Sequence, residues 1–347
     1  MDYQPVSGGL VEVRASVVER PTVDRAWRLA AAGAIRAVAQ NEVGLEIASP
    51  TGGGQLLTAS WRWASARPRG LLRLEMPVNA AFPGILTIEG DWERFRFALG
   101  PAVATGSEDT RRSAVVGFGG WVTPSLRPSA ALRFERWSGD RRYLAPFVGA
   151  EVRARNNRFV LAARAGHAVA LTDQPSYSSG GTQVAWASSL GLVRAAWSAR
   201  LGFDWVGRRA PLGAWPVAGA DLSWALPLRA HTPTNDGRIQ GAHAGRAVTS
   251  AGLAGDRPFY RNGPLVVAAG LFLDAARIAH AAHGFPDAQF YLDGGGGLRI
   301  GLGDGQLGVL RIDLARSLVT DRRTVFTLGV HRSWPLFQQD SEQGTTR

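Results

Sequence analysis

Residues 309–318 read VLRIDLARSL. Val309, Arg311, Asp313, Ala315 and Ser317 fall on one side of an extended chain, and Leu310, Ile312, Leu314, Arg316 and Leu318 on the other. Period-two alternation of this length marks a strand with one apolar face. The charges sit at mid-strand, not merely at the ends, and a polar side filled in this way differs from that of a soluble sandwich. A wide membrane barrel instead turns its apolar face to lipid and its charged face to a wet lumen. The pattern recurs outward from this stretch. Leu57, Ala59, Trp61 and Trp63 oppose Thr58, Ser60 and Arg62; Ala114, Val116, Phe118, Gly120 and Val122 share one side; Ala130, Leu132 and Phe134 alternate with Ala131, Arg133 and Glu135. The runs are longer than the ~5–6 residues of soluble strands.

Turn sequences separate the runs: Ser49-Pro50 through Gly54, Arg67-Pro68-Arg69-Gly70, Ser138-Gly139-Asp140, Asn156-Asn157, Gly303-Asp304-Gly305 and Thr320-Asp321. Longer polar connections are expected at residues 100–110, 172–181, 231–236 and 254–264. Short turns at one end and long loops at the other fit an all-β, single transmembrane antiparallel β-barrel of about 16 strands. At ~20 residues per strand and connection, the barrel takes residues 1–337, followed by a polar tail at 338–347. Residues 25–40 (RAWRLAAAGAIRAVAQ) are Ala-rich and also fit a helix, but flanking strand patterns favour strand.

Composition narrows the function. All 39 basic residues are Arg, against 28 acids, giving a net charge of +11 in 347 residues. A GC-rich genome produces such usage. The arginines are spread along the chain with no block of five like charges, so no nucleic-acid partner is expected. The absence of Cys excludes disulfide scaffolds, thiolate zinc sites and cysteine nucleophiles. No apolar run reaches the ~18–20 residues of a membrane helix. The 12 Trp lie mostly near the ends of alternating runs, where membrane barrels carry aromatic girdles. Neither a Gly-x-Ser-x-Gly elbow nor a His-Glu-x-x-His motif or Walker loop occurs, and the six His are scattered. No catalytic residue, metal site or cofactor is therefore expected. Gly294 to Gly297 reads as a bend or close approach within a strand. Asp274, Asp293, Asp313, Arg299 and Arg311 read as a lumen network of paired charges.

From residue 264 onward the chain resembles the C-terminal end of the bacterial surface-antigen barrel superfamily, which includes the BamA/TamA-type insertases and the two-partner secretion transporters. The likeness is carried by LVVAAGLFLDAAR (265–277), similar to an F-x-D-x-G/A strand, and GGGLRIGL (295–302), similar to G-x-G-x-R. It continues through LRIDLARSL (310–318), similar to l-R-l-D-x-A-x-p-l, and VFTLGVHRSW (325–334), similar to the closing strand. Residues 72–97, with Pro77, Pro83-Gly84 and Glu93-Arg94-Phe95, are compatible with the early strands.

The resemblance implies a barrel in the outer membrane of a Gram-negative bacterium, whose first and last strands meet at a weak seam that opens toward lipid and templates a client strand. The seam strands would lie near residues 9–19 and 324–334, with Val11, Val13, Phe326, Leu328 and Gly329 upon them. Implied partners are outer-membrane lipids, client outer-membrane or secreted proteins, and periplasmic or lipoprotein subunits. The family's Arg-Gly-Phe/Tyr tripeptide, on a loop folded into the lumen, is absent from residues 230–260, where Arg246 and Arg257 are the candidates to substitute for its arginine and to join the lumen charge network. Strand pattern begins within about ten residues of Met1, without the soluble periplasmic repeats usual in the family, and Met1 to Ser7 does not read as a secretion signal. Two other readings stay open: a passive pore or structural barrel, and a soluble all-β protein binding an acidic polymer.

Overall fold

The computed structural model describes residues 2–6, 10–14, 37, 41–79, 83–98, 106–155, 157–189, 194–218, 228–231, 233–263, 265–280, 288–302, 309–319 and 322–331. Alternation of small or apolar residues with charged ones makes most of these strand. The wall consists of β3 (Glu42–Ala48), β4 (Leu56–Arg62), β5 (Arg69–Val78), β6 (Gly84–Ala98), β7 (Gly106–Gly119), β8 (Leu126–Trp137), β9 (Arg141–Ala154), β10 (Phe159–Ala170), β11 (Tyr177–Ala187) and β12 (Ala196–Val206). It continues with β15 (Ala247–Asn262), β16 (Leu265–Ala279), β17 (Ala288–Leu302), β18 (Val309–Ser317) and β19 (Thr324–His331). These fifteen strands form one barrel in chain order, with β19 and β3 brought together in the ring. The all-β antiparallel barrel expected from the alternation is what the chain forms, one wall strand short of 16 among the described residues.

The connections fall into two sets. At one end, here the turn end, strands are joined by short segments such as Gly263-Pro264 between β15 and β16. The other, the loop end, carries residues 207–246 between β12 and β15. This long segment holds the short strands β13 (Thr234–Asn235) and β14 (Arg238–Gln240), and β14 pairs in parallel with the loop-end part of β6 (Ile239 with Phe97, Gln240 with Ala98). Also at the loop end, Gly139 and Asp140 turn the chain from β8 to β9 with positive φ (71° and 58°), as a tight hairpin turn requires.

Alternation settles the two faces. On β18, Val309, Asp313, Ala315 and Ser317 are buried inward, while Leu314, Arg316 and Leu318 are exposed outward. Most other wall strands repeat this, leaving Leu72, Val116, Val148, Leu201, Leu271 and Phe326 among many apolar side chains on the outer surface. A surface of this kind belongs against lipid, not water.

Several expectations are corrected or fall elsewhere. Residues 254–264 are not a long loop: β15 runs unbroken to Asn262, with a bulge between Pro258 and Tyr260 that accommodates the missing Pro N–H. Strands β7 and β11 likewise begin inside the stretches expected as loops, at Gly106 and Tyr177. Val11 and Val13 do not lie on a seam strand: β2 (Leu10–Arg14) pairs with β1 (Asp2–Val6) in a separate two-stranded sheet. The Ser7-Gly8-Gly9 sequence between them suits a hairpin, whose local pairing satisfies both short strands. Of residues 25–40 only Ala37 is described, and it is helical. The 338–347 tail lies outside the described residues.

Candidate functional site

Two charge networks and an aromatic cluster line the lumen. On the β4–β8 side, Glu93 is fully buried and receives Arg62 (2.9 Å), Arg111 (3.2 Å) and Arg67. Arg111 also reaches Asp91 (2.9 Å), and Arg73 pairs with Glu89 (3.0 Å). Each guanidinium faces a carboxylate one or two strands away, so most of the buried charge is locally neutralised. Glu135 accepts from Tyr177 Oη (2.9 Å) and Trp137 Nε1 (3.0 Å). Toward the loop end this polar lining gives way to a packed cluster of Phe95, Phe97, Trp137, Tyr143 and Tyr177, against which Trp215, Val217 and Ile239 of the long loop are buried.

The second network lies across the lumen on β15–β18. Arg299 pairs with Asp313 and with Asp256 (3.1 Å), and Arg311 with Asp313 (2.8 Å). Into this group the loop inserts Arg229-Ala230-His231. Arg229 lies 3.3 Å from Asp274 and 3.8 Å from Asp313, and its guanidinium stacks 3.8 Å above the Phe272 ring. Burial and the neighbouring Arg311 lower the Arg229 pKa to about 9, with Asp274 and Asp313 opposing, so the group remains charged at neutral pH. Ala230 packs on Phe272 and Ala315, and its N–H donates to Asp293 Oδ2 (2.7 Å). His231 donates from Nδ1 to Asp293 Oδ1 (2.7 Å), so one buried carboxylate holds two consecutive loop residues. The Tyr291 ring meets His231 edge-on (4.6 Å between centroids) and His243 face-on (5.1 Å), and its hydroxyl donates to Ala242 O (3.2 Å).

The glycine run on β17 lets β18 come close to it. A Cβ on Gly297 would lie 1.9 Å from Ile312 O of β18, and one on Gly295 would strike Leu314 O at 2.2 Å. The close strand approach expected of residues 294–297 is therefore real.

Of the residues expected as a lumen network, Arg299, Arg311 and Asp313 pair with one another, whereas Asp274 and Asp293 take Arg229, Ala230 and His231 of the loop as partners. Arg246 and Arg257 do not join them. Asp256 takes the inward position on β15, so its neighbour Arg257 must face outward, where it is exposed. Arg246 sits at the loop's return to the wall, its backbone bonded to Val206 and Ala279 and its side chain stacked 5.3 Å above Trp215. Arg229 and His231 were missed. Arg229 stands one residue before the searched window, and Arg-Ala-His keeps the guanidinium, small residue and flat ring of Arg-Gly-Phe/Tyr in that order. Searching for that chemistry instead of the literal letters would have found it. Phe326, Leu328 and Gly329 do lie on β19, which adjoins β3 at the ends of the meander. Among the described residues no group of three or more His, Asp or Glu is arranged to hold a metal ion.

No protein-family model matches the sequence, and no curated protein does. Solved structures do match the fold. BamA from Haemophilus ducreyi lacking POTRA domains 1-3 superposes with a TM-score of 0.58 at 13% identity, covering 84% of this chain and 66% of that one. CdiB from Escherichia coli gives 0.58 at 10% identity, with coverage of 84% and 58%. CdiB from Acinetobacter baumannii gives 0.53 at 9% identity, with coverage of 84% and 56%. The chain spans at most about two thirds of these structures. In its barrel wall, this chain has the fold of these BamA and CdiB structures.

Proposed function

We propose that this chain is a non-enzymatic outer-membrane barrel that inserts or translocates polypeptide clients, acting through the β3/β19 seam and a lumen controlled by its long loop. The observation that carries this reading is the docking of Arg229-Ala230-His231 onto Phe272, Asp274, Asp293 and Asp313. A buried latch held by three carboxylates is more than a passive wall needs. The end strands support the same reading: β3 has 7 residues and β19 has 8, whereas β6, β15, β16 and β17 have 15 or 16. Short ladders hold fewer backbone hydrogen bonds, so a seam between the short β3 and β19 is among the weaker lines around the ring and a place to accept a client strand edge. A lumen crossed by the long loop does not favour an open passive pore. In this reading the partners are outer-membrane lipids, unfolded outer-membrane or secreted clients, and accessory periplasmic or lipoprotein subunits.

The test is reconstitution. Purified protein in liposomes is expected to speed the folding of a small β-barrel client, and a disulfide linking β3 to β19 is expected to abolish that acceleration. An unchanged client folding rate together with steady ion conductance would sink the insertase reading.

A further inference from the structure

Cross-strand pairing builds a continuous outward-facing row near the loop end of the wall. Trp61 (β4) stands beside Gly70 (β5), then come Trp92 (β6), Arg112 (β7), Arg136 (β8) and Arg142 (β9), each directly opposite the next. Like charges directly opposite on neighbouring strands are destabilising. Here three arginines stand in series, all exposed. Asp140 pairs with Arg136 (3.1 Å) and Arg142 (2.8 Å), while Arg112 has no ion-pair partner among the described residues. Nearby on β6, Arg94 and Arg96 share Glu108 (3.2 and 3.3 Å). Five arginines thus face two carboxylates on one patch.

Immediately toward mid-wall the chemistry changes. The next row is Leu72, Gly90, Ala114, Phe134 and Leu144, without a polar side chain. Between the rows lies an open groove of about 730 Å³, bordered by Trp61, Leu72 and Trp92, with Arg112 at its edge. Trp61 and Trp92 stack with centroids 5.8 Å apart and planes 7° apart, spanning the space above Gly70. Gly90 keeps the floor open, since a Cβ there would meet nothing within 4 Å.

We propose that this row is a binding site for a phosphate-bearing membrane lipid, with its phosphates on Arg112, Arg136 and Arg142 and an acyl chain in the groove beside Trp61 and Trp92. This rests on the reading that the wall spans a membrane. Charge complementarity selects the occupant: an excess of guanidinium calls for an anion whose oxygens accept forked pairs, as phosphate does. The apolar groove directly below demands that the anion carry a hydrocarbon tail. A zwitterionic head group satisfies the second demand and not the first.

The experiment uses the full chain in phosphatidylcholine vesicles doped with lipid A, a diphosphorylated glycolipid. Proteoliposomes are floated, the barrel is extracted in mild detergent, and retained lipid A is measured against phosphatidylcholine by mass spectrometry. Wild type is expected to enrich lipid A on the order of tenfold over the bulk ratio, from several arginines acting at a membrane surface. The R112Q/R136Q/R142Q variant is expected to fall to the bulk ratio, whereas Arg316→Gln, which removes another outward-facing arginine at the same end, keeps the enrichment. Gly90→Leu fills the groove without altering charge and is expected to lower retention as well. Wild-type enrichment in the triple variant, while it still floats and keeps heat-modifiable migration, would overturn the lipid site and leave the membrane barrel standing. Complete displacement by an equal concentration of inorganic phosphate would overturn the lipid assignment in favour of a bare anion site. Failure of the wild type to float would overturn both readings.

Discussion

Replacing Arg229 with alanine tests the loop latch at the point where its energy is concentrated. The Arg229 and Asp274 side chains are 12% and 2% exposed, so solvent screening is slight. Asp313 keeps Arg299 and Arg311 when Arg229 is removed, but Asp274 loses its one ion pair among the described residues. Leaving a buried charge unpaired costs about 3–5 kcal/mol, and the lower part of that range applies here because Arg311 and Arg200 still attract Asp274. The loss falls on the docked state of residues 207–246, because the same aspartate rehydrates when the loop lifts away. The docked-to-undocked ratio should therefore drop by roughly two to three orders of magnitude. Limited proteolysis of the folded barrel in detergent reads this directly as cleavage within residues 207–246 while the wall stays intact. Tryptophan fluorescence during urea unfolding gives a second measure through Trp215, which is buried against the wall. Adding Asp274→Asn to Arg229→Ala removes the orphaned charge and should restore more than half of the protection. If Arg229→Ala resists protease as wild type does and unfolds at the same urea concentration, the buried-latch reasoning is wrong.

Further outcomes follow from the same geometry. Unheated protein should migrate on a detergent gel as a compact band that slows after boiling; a single unchanged band in both lanes would count against a membrane barrel. Ile312→Arg places a charge on the outer face and should destabilise the membrane-inserted barrel by ~2–4 kcal/mol, while Arg311→Ala should be milder because Asp313 retains Arg299; equal effects in urea titrations would mean the faces are reversed. Gly297→Ala should prevent formation of the compact band, since its Cβ would lie 1.9 Å from a backbone oxygen, whereas Gly90→Ala should leave that band unchanged. Tyr177→Phe removes a hydrogen bond to the buried Glu135 and should lower unfolding stability by about 1 kcal/mol.

The wall was legible in the sequence because each strand must satisfy two solvents at once. Residues 309–318 announce this in ten letters, and most wall strands repeat the inward–outward choice. Arg299, Arg311 and Asp313 could be placed for the same reason: alternation puts them on the polar side, and adjacent strands bring the sides together. Alternation also supplied the means to reject Arg257, whose parity is opposite to that of Asp256. The loop was harder to read. Arg229 and His231 belong to an irregular segment with no period, and their role is defined by partners more than 40 residues ahead on β16, β17 and β18. The parallel pairing of Ile239 with Phe97 likewise leaves no local trace, because a two-residue bridge is set by where the loop lands. Pro258 misled in the opposite direction: a proline beside glycine and polar residues suggests a loop, yet at a bulge it sits within a strand of 16 residues.

The short bridge from β14 to β6 has a mechanical meaning. At one end, the loop that carries Arg229 is fastened to β16–β18; at the other, Ile239 is fastened to β6. Counted along the ring, β6 is the fourth strand on one side of the seam, and β16 the fourth on the other. Residues 229–239 are therefore a tie rod across the lumen, spanning from β6 to β16 on the two sides of the β3/β19 junction. Any spreading of the barrel at that junction would first have to stretch or unhook the rod.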